Sequence, residues 1–269
     1  MNAPLTASEL PETLYLRLSE DSLCFARYEH GREPNFVFSP YRVRPQTSLA
    51  VNLREACRTE EILKAPVSRV YVLVVAAVTA VPLADFQEED CGRIHGFCFP
   101  SERKRRVFYD ILPASNVALL FALDEDICRA IEDMFPNVRY VSAQTAVLRH
   151  FAEKGMASGS KRVFVHRHGH VADVAIYEDH RLLMLNTYAA NEAVDVAYYT
   201  LNAAQNLGVD CTTTPFYVTG TMEDRDNAAA ELQKYVAEVC SVNPTGEFNR
   251  HAAAVTPDVP YDLTALLAD

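Results

Sequence analysis

The chain has 269 residues, enough for one large or two modest domains, and its 49% hydrophobic and 23% charged content is that of a globular protein with a sizeable core. A net charge of −11 argues against a nucleic acid or an anionic membrane held by bulk electrostatics, and the longest apolar run, residues 70–78, is too short to insert across a bilayer. Seven scattered cysteines without a CxxC pair, and no basic-then-apolar leader, predict a reduced, cytoplasmic setting.

Residues 1–11 read as a loose arm. Strand, turn, strand, turn, strand follows over 12–42, then a helix over 47–64 capped by Thr47 or Ser48, with Leu49, Leu53, Ala56 and Ile62 on its apolar stripe. Pro66 ends that helix. The β-branched run 69–77 predicts a strand covered on both faces, and a short helix is expected around 84–95. Strands over 107–112 and 117–123 flank a turn at 113–116, and Asp124 caps a helix to 135 with Glu125 and Asp126 in its first turn. A strand at 138–141 precedes a helix over 142–154 stopped by Gly155, and the connector 157–160 is the expected seam.

Beyond the seam come three more strands over 161–187, with turns at Gly169 and at Glu178-Asp179-His180. A helix over 192–207 ends at Gly208, a buried-type strand runs over 215–219, Gly220 turns the chain, and a helix spans 224–239. A last strand is expected at 240–242. The tail from Pro244 is rich in Pro and Ala, with one helical turn expected to dock over 261–267.

A shift of 149 residues lays the first three-strand stretch on the second without a gap: Ala26 falls on Ala175, Tyr28 on Tyr177, Glu29 on Glu178 and Arg32 on Arg181. Both halves therefore run strand, strand, strand, helix, strand, helix, so the fold class is a doubled α/β unit with helices covering mixed sheets.

Other constellations are weaker. His166, His168 and His170 alternate, with His180 near, but no Cys or carboxylate stands at a ligand spacing; they are expected on a solvent-facing hairpin, with no metal. The run Arg103-Lys104-Arg105-Arg106 reads as a solvated lead-in to a strand, and Tyr198-Tyr199 as one core and one partly exposed tyrosine. No G-x-S-x-G, H-E-x-x-H or Walker-type loop occurs, and no catalytic residue is assigned.

The stretches LYLRLSEDSLCFARYEHGR, KRVFVHRHGHVADVAIYEDHRLL and PFYVTGTMEDRDNAAAELQKYV resemble the actin, sugar kinase and heat-shock chaperone ATPase superfamily. More narrowly, the chain resembles an uncharacterised bacterial family of unknown function with an actin-like ATPase fold, over about 12–242. The resemblance implies two ribonuclease H-like subdomains, at 12–157 (with inserted strands about 104–123) and 158–269, clasping a nucleotide. Working ATPases of that superfamily carry Asp-x-Gly at the first hairpin turn of each half, the carboxylate for the metal–water shell and the Gly for close approach of phosphate. Here the first turn reads Leu18-Ser19-Glu20-Asp21-Ser22 without Gly, the second reads Arg167-His168-Gly169, and the adenosine-side turn Tyr217-Val218-Thr219-Gly220-Thr221 has a single Gly. A rewired interlobe cleft would use Ser19, Ser22, Arg167, Gly169, Thr219 and Gly220. The implied outcome is a kept fold and a lost ATPase: no cofactor, and a protein partner or a second copy bound instead. The alternative is a nucleotide-binding protein, a slow ATPase or small-molecule kinase, using ATP and magnesium in that cleft.

Overall fold

The computed structural model describes residues 12–29, 35–153 and 160–268. The expected arm, the Arg32 match, the Gly155 stop and most of the connector lie outside the described residues. In chain order the elements are β1 (Thr13–Leu18), β2 (Leu23–Tyr28), β3 (Phe36–Tyr41), α1 (Leu49–Thr59), β4 (Arg69–Val74), β5 (Thr79–Pro82), α2 (Cys91–Cys98), β6 (Arg105–Leu112), β7 (Val117–Asp124), α3 (Glu125–Met134), β8 (Val138–Ser142) and α4 (Ala143–Glu153). They continue with β9 (Lys161–His168), β10 (Val171–Glu178), β11 (Arg181–Ala189), α5 (Ala193–Asn206), β12 (Phe216–Thr219), α6 (Met222–Leu232), β13 (Val239–Ser241), α7 (Pro244–Glu247), α8 (Ala252–Val255) and α9 (Tyr261–Ala268).

The chain forms two compact units. One takes residues 1–76, 91–109 and 121–143, the other 77–90, 110–120 and 144–269. The boundary crosses β6 after Tyr109 and β7 after Leu120; these two strands fill the place of the expected insertion.

The first unit holds a sheet of order β3-β2-β1-β4-β8, and the second a sheet of order β11-β10-β9-β12-β13. Strand senses match as well: the first three strands are antiparallel, and the fourth and fifth join parallel to the first. The register repeats too. Leu14 pairs with Arg27 and Leu16 with Phe25 in the first sheet; 149 residues on, Val163 pairs with Ile176 and Val165 with Val174. The doubling read from side chains is thus a doubling of backbone hydrogen bonds.

Local chemistry sets the boundaries. Ser48 caps α1 by accepting from the Val51 amide, and Leu53 and Ala56 are fully buried on its inner face. Glu192 and Asp195 form a reciprocal capping box on α5, and Thr221 caps α6 through the Asp224 amide. In the second unit, Val163, Val165, Val174, Ile176, Phe216 and Val218 form one sheet face packed on Val196 and Ala204 of α5 and Ala228 and Leu232 of α6. The opposite face carries Phe164, stacked on Phe151 of α4 at 4.2 Å.

Several expectations shift. The helix expected around 84–95 begins at Cys91, because two tight turns, Leu83–Asp85 and Glu88–Asp90, take up the acidic stretch. Strand β5, too short to show a period, was not expected. Helix α6 stops at Leu232 rather than 239: the Tyr235 and Val236 amides both turn back to the Leu232 carbonyl, dropping Val236 into the core. The tail forms three short helices rather than one turn, and α9 buries five successive residues from Tyr261. Arg103 and Arg105 pair with Asp124, Lys104 with Glu125 and Arg106 with Glu132, so the basic run is matched by carboxylates of its own unit.

Candidate functional site

The first hairpin turn, in the first unit, is closed on itself. The Ser19 amide donates to the Ser22 carbonyl (2.9 Å) and the Ser22 amide to Ser19 Oγ (2.9 Å). The two hydroxyls lie 2.5 Å apart, and Ser19 Oγ also donates to Asp21 Oδ1 at 2.8 Å. Ser19 and Ser22 are therefore together, but they face each other. A turn that lacks glycine uses its seryl oxygens to satisfy its own amides, the amides a phosphate would need.

The second unit gathers three of the other four residues. Strands β9 and β12 are neighbours, with Thr219 opposite His166, which brings Arg167, Thr219 and Gly220 into one place. Arg167 is 5% exposed, and its guanidinium donates to the Val171 carbonyl (3.0 Å) and the Asn191 carbonyl (3.2 Å). It ties the β9–β10 turn to the start of α5. Thr219 is fully buried, its hydroxyl 2.9 Å from His166 Nδ1 and donating to the Val165 carbonyl at 3.3 Å. Gly220 has φ +145°, and a Cβ there would sit 2.5 Å from the Arg167 carbonyl oxygen. Its missing side chain makes room for the chain's own backbone. Gly169 stands apart on the exposed two-residue turn at φ +54°, with open space where a Cβ would point.

The helix that follows Gly220 is not open to an anion. Thr221 occupies the cap, and Glu223 and Asp224 fill the first turn, so two carboxylates already sit where the helix dipole favours negative charge.

Beneath this corner lies a polar network that the sequence pattern did not reveal. Asp173 of β10 sits opposite His166 on one side and Thr187 on the other. His168 Nε2 is 2.8 Å from Asp173 Oδ2, Thr187 donates to Asp173 Oδ1, and Gln144 Nε2 reaches both carboxylate oxygens at 3.2–3.3 Å. The His166 and His168 rings stack at 4.8 Å, and His166 Nε2 lies 3.8 Å from Asp262 of α9. The solvent-facing placement of the histidine run therefore needs correcting: His166 is 4% exposed, and of the three only His170 lies open on the turn. Alternation places His166 and His168 on the face covered by α4 and α9 rather than on an open hairpin. A charged residue between Ala172 and Val174, in a strand buried on both faces, was the available signal for Asp173.

Electrostatics follows from the packing. Burial pushes the Asp173 carboxyl up, but His168, His166 and the Thr187 hydroxyl outweigh it and hold the group below the usual carboxylate range. Burial, with His168 adding to it, lowers the His166 pKa against the pull of Asp262 and Asp173. A cavity of about 10 Å³ lies among Gln144, Phe151, Phe164, His166 and Asp173, roughly the room of one water. Among the described residues, no group of three or more His, Cys, Asp or Glu side chains is arranged to hold a metal ion.

A protein-family model described as "Protein of unknown function (DUF3822)" matches residues 6–239. The chain belongs to that family. No curated protein matches it. Among solved structures, it is similar to a protein of unknown function with an actin-like ATPase fold from Bacteroides thetaiotaomicron, at 24% identity and TM-score 0.81, covering 97% of each chain. It is also similar to a chain of the PilM-PilN type IV pilus biogenesis complex, at 12% identity and TM-score 0.55, covering 96% of this chain and 98% of that one. At these identities the likeness is one of fold, and the fold is the actin-like ATPase fold. Among the described residues, no helix is long and apolar enough to cross a membrane.

Proposed function

We propose that this member of the family works by binding a protein partner, and that it does not turn over a nucleotide. The observation that carries this is the use already made of the expected phosphate groups. Arg167 is bonded to two carbonyls of its own chain, and Gly220 is packed on the Arg167 carbonyl. Ser19 and Ser22 are bonded to each other. A phosphate at either turn would have to break those bonds, and at α6 it would meet Glu223 and Asp224.

Magnesium fares no better at this corner. The hairpin position that should carry a carboxylate carries Arg167, and the nearest carboxylate of the hairpin, Asp173, is buried and committed to His168, Thr187 and Gln144. The PilM-PilN complex supports the positive half of the reading, since a chain of the same fold stands there in a complex with another protein.

Calorimetric titration of the full chain with ATP and magnesium tests the negative half. The expected result is no saturable heat; a magnesium-dependent one-to-one isotherm overturns the reading.

A further inference from the structure

The second unit leaves apolar side chains uncovered at one end of its sheet. Strand β9 is parallel to β12 and antiparallel to β10, and β10 is antiparallel to β11, so β9, β11 and β12 all finish at the same edge. Helices α5 and α6 follow β11 and β12 and pack on each other, so both begin there. At that end Val194 is 58%, Tyr198 65% and Met222 74% exposed. Val194 and Tyr198 are one helical turn apart and share a face. Tyr198 meets the Tyr199 ring edge-on at 5.3 Å, and Tyr199 stacks on Tyr188 at 4.6 Å, which makes a fixed aromatic platform.

Charge selects the occupant. The first turns of the two helices carry Glu192 and Asp195, and Glu223 and Asp224. Each helix start offsets roughly half a unit of that negative charge. Two cations adjoin: Arg167 is buried and bonded to carbonyls, and Arg225 of α6 is paired with Asp226 and donates to the Val242 carbonyl, while α5 itself has no Lys or Arg. The surface outside the C-terminal ends of these strands is where open α/β sheets hold ligands, and here it is apolar with an acidic rim.

We propose that this face, centred on Val194 and Tyr198, docks a basic segment of a partner protein whose aliphatic or aromatic residues pack on the tyrosine platform while its Lys or Arg side chains meet Glu192 and Glu223. The proposal rests on the partner-binding reading and gives that partner its chemistry.

Peptide-display selection on the full chain, with random 12-residue peptides as the probe, tests it. Enriched peptides should be net positive and carry aliphatic or aromatic residues. A synthesised member of that set should bind at least tenfold more weakly to V194K/Y198K and several-fold more weakly to E192Q/E223Q, while V51K in the other unit leaves binding unchanged. Hydrogen exchange on the unsubstituted protein should show peptide protection confined to residues 193–199 and their neighbours, which keeps the test valid if a variant folds poorly. Enrichment of acidic or uncharged peptides, no enrichment, or affinity for V194K/Y198K within twofold of the parent chain overturns the proposal. A saturable ATP isotherm beside intact peptide binding would overturn the non-nucleotide reading and leave this surface standing.

Discussion

The α-carbon of Gly220 lies against the backbone of Arg167, so closely that a Cβ would sit 2.5 Å from the Arg167 carbonyl oxygen and 3.2 Å from its Cβ. The glycine expected at a nucleotide turn is therefore a packing residue, and it packs on Arg167, where the superfamily resemblance expects a carboxylate.

Gly220→Ala should destabilise the protein by about 1–3 kcal/mol, since backbone atoms rather than a flexible side chain must yield. Gly169→Ala, with no atom within 4 Å but φ +54°, should cost about 1 kcal/mol. Chemical denaturation of both variants checks the order. Equal losses would show that the contact with Arg167 is not what requires glycine at 220.

Arg167→Met should lose about 2–3 kcal/mol, because two buried carbonyl bonds to a charged donor disappear together. Arg167→Asp should lose more, placing a carboxylate against the Val171 and Asn191 carbonyl oxygens, and it should not create magnesium-dependent ATP binding. Denaturation and calorimetry on the same preparation check both statements.

Asp173→Asn should cost about 3 kcal/mol by leaving His168 without its carboxylate in a nearly dry site. Thr187→Val, which removes one hydroxyl from the same carboxylate, should cost about 1 kcal/mol. A double-mutant cycle between positions 173 and 187 should show coupling, since the two groups share a bond.

Stability should fall on acidification in two stages. Burial lowers the folded His166 pKa below the ordinary value of 6.5 that it keeps when unfolded. The unfolded chain therefore takes up the proton first, and the contribution of neutral His166 is present above 6.5 and lost as pH falls below it. The slope is about 1.4 kcal/mol per pH unit for one proton. His95 and His251, also lowered by burial, add to the same stage. Asp173 is lowered, so its contribution holds until pH drops beneath the ordinary carboxylate value of 3.8. His166→Gln should flatten the first stage and leave the second; melting temperatures from about pH 7.5 to about pH 2 report it.

The doubling was legible because it lies in alternation and turn chemistry. Val163, Val165, Val174 and Ile176 repeat the pattern of Leu14, Leu16, Phe25 and Arg27, and the two sets pair in the same register. Arg27 shows the limit of such reading: it stands at the place of Ile176, is 2% exposed, and reaches Glu12 at 2.5 Å, a partner that no local pattern announces. The candidate site was half legible. Arg167, Thr219 and Gly220 do meet, since adjacent strand ends must, but the bonds that use them, to Val171 in the hairpin, His166 on the paired strand and Asn191 before α5, depend on side-chain geometry that no residue pattern states. The histidine run was misjudged for the same reason: the cover over that face comes from α4 and α9, distant in sequence, and only packing shows it.

The proposal that no nucleotide binds is tested most directly by calorimetric titration of the full chain with ATP and magnesium, alongside melting temperature in the same buffer. The bonded state of Arg167, Ser19 and Ser22 predicts no saturable heat and no rise in melting temperature at millimolar nucleotide. A stoichiometric, magnesium-dependent isotherm with a matching rise in melting temperature would contradict it.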